Sequence, residues 1–119
     1  MMLIQRSGDM LTASGPGGIN EIQYAALLMM IARHTGYKPG VFTHIVANEQ
    51  IYDRHIDAAI EMRNRYKEYY PEGTVVKSPT PTLLLDTSRT NNFFEFTIDD
   101  FTMFSYNPIK PQLKLELGI

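Results

Sequence analysis

Cysteine is absent from this chain of 119 residues, and so is tryptophan. The absence of thiols excludes disulfides, thiolate metal sites and any mechanism whose nucleophile is a cysteine of this chain. Long apolar runs are also missing, since no stretch approaches the roughly 20 residues that a membrane-spanning helix needs. The start of the chain lacks the charged, apolar and small-residue segments of a secretory signal. We therefore expect a cytoplasmic protein without a membrane partner.

A strong charge of either sign is missing as well. The 11 basic and 13 acidic residues give a formal net charge of -2, and the pI is near 5.9. The lysines are scattered along the chain rather than clustered, so the sequence predicts no nucleic-acid partner. The histidines lack the spacing of an H-E-x-x-H helix, and we expect no metal site.

Two helices are predicted from the spacing of apolar residues. The segment "EIQYAALLMMIARH" is apolar on nearly every side, as a helix buried in a core would be. The segment that follows Asp53 and ends at Pro71 is amphipathic. Asn20 with Gln23 forms a capping-box pattern that predicts the start of the first helix, and Gly36 is expected to end it. Asp53 is the expected N-cap of the second helix.

Strands account for most of the remainder. Alternation and β-branched residues predict strands over residues 3–10, 39–52, 74–77, 81–86 and 101–106. In the second strand, odd positions from Val41 to Ala47 share one face and even positions from Phe42 to Asn48 share the other. No linker divides the chain. We expect one α+β domain over residues 1–119, in which a mixed sheet packs with a buried helix and a second, amphipathic helix.

The stretch "LIQRSGDM" near the start of the chain places polar side chains inside an otherwise apolar strand. Arg6 and Ser7 offer the paired donors and the hydroxyl of an anion site. An exposed arginine paired with Asp9 explains the same pattern. The following "GPGG" lacks the lysine and hydroxyl of a P-loop, which favours a flexible turn. Asn20 suits an N-cap or a ligand contact, and Tyr52 suits packing or a hydrogen bond to a ligand.

Five segments follow one another along the chain, namely "LIQRSGD", "INEIQYAALLMMIA", "GVFTHIVANEQIY" with His55 three residues beyond it, "FTMFSYNP" and "LKLELGI". In this order they resemble the C-terminal half of the thymidylate synthase family. Each motif is short, but together they cover nearly the whole chain. The resemblance implies a thymidylate synthase-like fold that is incomplete relative to the full family fold.

The resemblance implies a site for the nucleotide dUMP. By this likeness Arg6 and Ser7 would bind the phosphate, and Asp9 would lie beside the pyrimidine and the folate. Gln50 and Tyr52 would contact the deoxyribose.

The same resemblance assigns Asn20 to the pyrimidine edge. An asparagine amide can donate to O4 and accept from N3 of uracil, a pairing that cytosine would invert. The resemblance also implies a folate site that includes Asp9, a loop glycine such as Gly17 and the end of the chain at Ile119. The tail would fold over the folate and exclude water.

Several positions depart from the family pattern. Gly8 stands where a cysteine is common, and Asn48 stands where an aspartate is frequent. Gln50 replaces the histidine that usually shares the ribose contact with Tyr52, and the loop after Asp9 is longer than the commonest family form. The family's nucleophilic cysteine, catalytic glutamate, folate-contacting tryptophan and second-subunit arginines would all lie upstream of this segment.

The resemblance therefore implies one half of a thymidylate synthase. The complete enzyme methylates dUMP reductively to dTMP, with 5,10-methylenetetrahydrofolate as co-substrate and no metal. This chain would supply the nucleotide contacts and the lid, with Asp9 and Asn20 as supporting residues. We expect it to be inactive alone, because it has no nucleophile. The alternative is a non-catalytic remnant that binds a nucleotide or pairs with a partner chain. Self-association or the family's homodimer is expected.

Overall fold

The computed structural model describes residues 1–14, 18–72 and 80–116, and the elements alternate between strands and helices. In chain order they are β1 (Met2–Gln5), β2 (Gly8–Asp9), α1 (Ile19–His34), β3 (Thr43–Val46), β4 (Glu49–Gln50), α2 (Ile56–Tyr69), β5 (Thr82–Leu85) and β6 (Phe101–Phe104). Short 3-10 turns cover Asp53–His55, Phe93–Glu95 and Ile98–Asp100. The predicted α+β class is confirmed, whereas the strand predicted over residues 74–77 lies outside the described residues.

Two parallel ladders bring the start of the chain beside its middle. β1 pairs with β3 from Met2 opposite Thr43 to Gln5 opposite Val46, and β2 pairs with β4. The offset between partners is the same in both ladders, so they are two pieces of one register. The long strands predicted over residues 3–10 and 39–52 are therefore each interrupted once. Backbone hydrogen bonds still flank the interruption, since the Ala47 N–H donates to the Gln5 carbonyl at 2.9 Å.

The third ladder is antiparallel. β5 pairs with β6 from Thr82 opposite Phe104 to Leu85 opposite Phe101. α1 packs against β5 and against the 3-10 turn Phe93–Glu95. Within the described residues, the predicted mixed sheet is thus three separate two-stranded ladders, because the interruptions and turns end each one after a few pairs.

The helices differ from the prediction mainly at their starts. α1 begins at Ile19 after Gly18, whose φ of 59° lies in the left-handed region, so the predicted cap at Asn20 is wrong. The Asn20 amide instead donates to a neighbouring strand. α1 ends just before Gly36, as predicted. The cap predicted at Asp53 is also wrong, because Asp53 starts a 3-10 turn and His55 is the residue that precedes α2.

Little of the apolar surface is buried within the described part of the chain. Leu11, Ala32 and Leu85 are its buried apolar residues. Ala32 is also the one buried residue recorded for α1, so the expectation of a buried helix is not met within this chain. The radius of gyration is 16.8 Å, above the roughly 13 to 14 Å of a compact domain of this length. The chain by itself therefore covers its apolar faces incompletely.

The half-buried face of β3 follows the predicted alternation. Phe42, His44 and Val46 are half-buried, whereas the alternating positions from Val41 to Ala47 are exposed. None of the helices in residues 1–14, 18–72 and 80–116 has the length and apolarity needed to cross a membrane.

Gly8 lies in a narrow space at the start of β2. A Cβ atom at this position would lie 2.4 Å from the Ser14 hydroxyl oxygen and 2.5 Å from the Glu49 Oε2 atom. The Ser14 hydroxyl donates to Glu49 Oε1 at 2.6 Å, and Ser14 is fully buried. A side chain at this position, such as the cysteine common in the family pattern, would therefore have to displace Ser14 and the end of the Glu49 side chain.

Asp100 joins the turns that precede β6. Its carboxylate accepts hydrogen bonds from Arg89 at 3.2 and 2.5 Å and from the Thr97 backbone N–H at 2.7 Å. The Arg89 guanidinium, followed by the Thr97 N–H, lowers the pKa of Asp100 to about 2.

We expect this carboxylate to contribute stability above the ordinary aspartate pKa of 3.8 and to lose that contribution as the pH falls toward about 2. Asp100→Asn removes the negative charge, so the variant is expected to have a lower Tm than the original chain at pH 7. The difference should shrink between pH 4 and pH 2. Thermal unfolding followed by circular dichroism measures both. Asp99→Asn, on the exposed side of the same turn, is the control, and a Tm difference for Asp100→Asn that is constant with pH would contradict the assignment.

Gly8→Ala is expected to destabilise the chain by about 1 to 3 kcal/mol, because the added methyl group overlaps Ser14 and Glu49. In a Glu49→Ala background the Ser14 hydroxyl can turn away, so the same substitution should cost less. Denaturant unfolding of the four chains of this cycle gives the coupling. An equal loss of unfolding free energy from Gly8→Ala in the two backgrounds would show that Glu49 does not restrict the space at Gly8.

Candidate functional site

Arg6 and Ser7 lie at the interruption between the two parallel ladders, and both are exposed. The Ser7 carbonyl accepts a hydrogen bond from the Gln5 side-chain amide at 2.7 Å. Among the described residues no ion pair joins Arg6 to Asp9, so the structure does not support the alternative of a surface pair. The guanidinium and the hydroxyl thus belong to two consecutive exposed residues where the chain leaves the ladder.

Asp9 closes the turn that follows β2. Its Oδ1 accepts from the Leu11 N–H at 3.2 Å, and its Oδ2 accepts from the Thr12 hydroxyl. Burial raises the pKa of Asp9, but the bonds from Thr12 and Leu11 lower it. The nearby His55 lowers it as well, and the net shift is downward. Asp9 is therefore a fixed carboxylate at the base of this loop.

Asn20 belongs to the first turn of α1 and faces the end of β1. Its Nδ2 donates to Gln5 Oε1 at 3.2 Å. The same Gln5 oxygen lies 3.0 Å from His44 Nε2, and His44 Nδ1 lies 2.8 Å from Glu21 Oε1. A chain of polar contacts therefore connects α1, β1 and β3 beneath Arg6 and Ser7.

Gln50 and Tyr52 reach the same region through the second ladder. Gln50 lies opposite Asp9 in the parallel register, and its carbonyl accepts from the Met10 N–H at 3.0 Å. Tyr52 is exposed, and its ring makes an edge contact with His55 at 5.8 Å between centroids. The Arg54 guanidinium lies 5.8 Å from the centroid of the Tyr52 ring. Both predicted ribose-contacting residues are thus on the exposed side of the ladder that carries Asp9.

The tail, residues 106–116, runs along α2 and lines a large cleft beside the loop that follows β2. Arg65 Nη1 donates to the Pro111 carbonyl at 2.5 Å, and His55 Nε2 donates to the Glu116 carbonyl at 2.8 Å. His55 is only 2% exposed. The cleft has a volume of about 1260 Å³ and is lined by Leu11, Thr12 and Ile19 on one side and by α2 and residues 106–115 on the others.

Two of the predicted folate residues, Gly17 and Ile119, lie outside the described residues. The structure places the other predicted residues along one edge, which runs from the interruption between the ladders to just beyond β4. These are Arg6, Ser7, Asp9, Asn20, Gln50 and Tyr52. No group of three or more histidine, aspartate or glutamate side chains in the described part of the chain could hold a metal ion.

Sequence reasoning missed the residues behind this edge. Gln5, Glu21 and His44 form the contacts beneath it, and Ser14 and Glu49 fix the loop. One signal was present, because His44 is a polar residue between Phe42 and Val46 on one face of its predicted strand. Ser14 and Glu49 are 35 residues apart, and neither lies in a pattern that pairs them.

Comparison with known proteins finds relatives that match nearly the whole chain. The sequence model of the family described as thymidylate synthase matches residues 1–119. The chain is 41% identical to a thymidylate synthase of Streptococcus suis and 43% identical to one of Streptococcus mutans, each over 117 residues. These alignments cover 98% of this chain and 38% of each relative, so the chain spans less than half of their length.

A solved structure gives the same result for the fold. The thermostable thymidylate synthase A from Bacillus subtilis superposes with a TM-score of 0.65 at 29% sequence identity. The match covers 94% of this chain and 36% of that one. The motifs at the strand ends, the family match over the full chain and this superposition agree, and the chain belongs to the thymidylate synthase family.

Proposed function

We propose that this chain supplies the dUMP-binding edge and the tail of a thymidylate synthase, the enzyme that methylates dUMP reductively to dTMP, and that it acts in the cytoplasm. The observation that carries the proposal is that Arg6 and Ser7 lie at the interruption of the parallel ladders, with Asp9 in the ladder that follows and Asn20 bonded to Gln5. The family match supports the reaction, and the positions of these residues support the separate contacts that we assign to each of them below.

Arg6 and Ser7 are the proposed phosphate contacts. A guanidinium presents two parallel donors to a phosphate, and a hydroxyl adds a third. The exposure of both residues leaves them open to a ligand. The bond from Gln5 to the Ser7 carbonyl holds the peptide of the turn in one orientation.

Asn20 is the proposed reader of the base, and Gln50 and Tyr52 are the proposed contacts to the deoxyribose. The Asn20 amide offers a donor and an acceptor together, as the edge of uracil requires. A glutamine amide and a phenol can each bond the 3′-hydroxyl of a deoxyribose. The pairing of β2 with β4 supports this assignment, since it sets Gln50 beside Asp9.

The cleft beside α2 is the proposed site of 5,10-methylenetetrahydrofolate. Bound there, this co-substrate supplies a one-carbon unit and a hydride. The half-buried Asp9 carboxylate, with its lowered pKa, lies in the loop that forms one wall of the cleft. The tail forms the opposite wall, and its bonds to Arg65 of α2 and to His55 just before α2 keep it there to limit the entry of water. Gly17 and Ile119 remain proposed folate contacts.

The chain has no cysteine, so the nucleophile of this reaction has to come from outside it. We therefore propose that the chain binds and orients the reactants and is inactive alone. Asp9 and Asn20 act in support of a thiolate that attacks C6 of the pyrimidine.

Calorimetric titration of the 119-residue chain with dUMP tests the nucleotide site. We expect binding that Arg6→Ala weakens about tenfold to a hundredfold, because charge-assisted bonds to the phosphate are lost. Arg63→Ala, which removes an exposed arginine from α2, is the matched control and should bind like the original chain. Equal affinities of all three chains would remove Arg6 from the site. The absence of binding in all three would contradict a nucleotide site that works in this chain alone.

Self-association is the second expectation, and the exposed face of the β1 and β3 ladder is its proposed surface. Met2, Ile4, Val41 and Ile45 lie on this face and are 63%, 70%, 79% and 46% exposed. Contiguous apolar surface of this kind marks an interface, and a second copy offers a matching one.

Sedimentation velocity at several concentrations is the measurement, and we expect a species of at least dimer size. Ile4→Lys, in the middle of the face, should shift the distribution to the monomer. Ile98→Lys, at an equally apolar but separate exposed site, should leave it unchanged. A clean monomer for the original chain would contradict the proposal.

A further inference from the structure

Glu21 and His44 form an ion-pair contact behind the base reader, and the family resemblance assigns neither of them a role. Glu21 lies in the first turn of α1, and His44 lies on β3 with only 10% of its side chain exposed. Their contact is 2.8 Å long, and His44 Nε2 continues it to Gln5 Oε1 at 3.0 Å. The next contact, at 3.2 Å, is the bond from Asn20.

The contact with Ser7 identifies the orientation of the Gln5 amide. The Ser7 carbonyl can only accept, so the Gln5 group at 2.7 Å from it has to be the NH₂ group. Gln5 Oε1 therefore points the other way, toward Asn20 Nδ2 and His44 Nε2. An oxygen accepts, and both neighbours have to donate to it.

The proton on His44 Nε2 is in turn determined by Glu21. A neutral histidine carries one ring proton, on either Nδ1 or Nε2. Nε2 has to carry one for Gln5, and Nδ1 faces a carboxyl oxygen at 2.8 Å. A second proton therefore lies between Nδ1 and Glu21 Oε1, held by one or the other. Without Glu21 the contact with Gln5 Oε1 is the one described contact left to hold the proton on Nε2.

Asn20 is the last residue in this chain of contacts and the proposed contact to the base. Its Nδ2 donates one hydrogen to Gln5 Oε1, and the second hydrogen and Oδ1 are left to bond a ligand. If the Gln5 amide turned over, its NH₂ group would face Asn20 Nδ2, and Asn20 would have to turn as well. The donor and acceptor that Asn20 presents would then exchange places, and that exchanged pair suits cytosine instead of uracil.

We propose that Glu21 and His44 are positioning residues that fix the Gln5 and Asn20 amides in the orientation that selects a uracil nucleotide over a cytosine nucleotide. The selection rests on the proposed function, but the orientation of the amides does not. Gln5 also holds the Ser7 carbonyl, so the same contacts align the phosphate turn with the base reader.

The Glu21 side chain is 32% exposed as a whole, but the environment of its second oxygen is consistent with a positioning role. Its second oxygen, Oε2, is buried and has no hydrogen-bond partner among the described residues. A buried carboxylate oxygen without a partner is unfavourable for folding. A stabilising role therefore explains Glu21 poorly. A role in holding the His44 ring proton does explain it, because Oε1, the other oxygen, contacts His44 Nδ1.

The first test needs no ligand. Two-bond nitrogen–proton NMR correlations of the His44 ring in the original chain report which nitrogens are protonated. We expect Nε2 to carry a proton at pH 7. A ring with a bare Nε2 and a proton only on Nδ1 would overturn the inference.

The second test measures the ratio of dUMP to dCMP affinity by calorimetry for Glu21→Leu and Glu21→Gln. Leucine cannot bond Nδ1, so the preference for dUMP is expected to fall roughly tenfold or more. Glutamine can donate its amide to Nδ1 and leave the proton on Nε2, so the preference should stay within about twofold. Glu68→Leu, at an exposed carboxylate on α2, controls for the change of charge.

An unchanged preference in Glu21→Leu, or an equal loss in Glu21→Gln, would overturn the inference. If Glu21→Leu fails to fold, the His44 ring spectrum of the original chain still decides it. If the original chain binds neither nucleotide, the proposed function fails, and that same spectrum decides the orientation of the amides independently.

Discussion

The parallel register between the start of the chain and its middle is the constraint on which the site depends. β1 pairs with β3 and β2 pairs with β4 at one common offset, although neither ladder is longer than four pairs. Because the register continues across the interruption, Arg6 and Ser7 leave the ladder while the residues on both sides stay fixed. Arg6 and Ser7 are thereby held at a defined distance from Asp9 and from the first turn of α1. A slip by one residue would turn every one of these side chains to the opposite face.

The buried polar residues connect the segments that the small apolar core does not reach. Three polar residues, Ser14, His55 and Asp100, are buried, as many as the buried apolar residues of the described chain. Ser14 ties the loop after β2 to β4, and His55 ties the tail to the start of α2. Asp100 ties the turns before β6 to Arg89. Such contacts are directional, so they specify where a segment lies even where little apolar area is covered.

Local patterns predicted the elements whose causes are local. The alternation along β3, the amphipathic α2 and the end of α1 near Gly36 all follow from side-chain periodicity and backbone preference. The predicted caps were wrong where a distant partner competed. The Asn20 amide bonds Gln5, fifteen residues earlier, and a left-handed Gly18 starts the helix in its place. The pairing of Ser14 with Glu49 depends on the parallel register, which no single stretch of sequence contains.

The tail is held by its main chain. Both of its described bonds to the body of the protein, from Arg65 to the Pro111 carbonyl and from His55 to the Glu116 carbonyl, end on backbone oxygens that every residue type possesses. Side chains along this segment can therefore be exchanged through evolution without moving its path, provided that the two donors persist. A segment anchored in this way can change the chemistry of its wall of the cleft while it keeps its position.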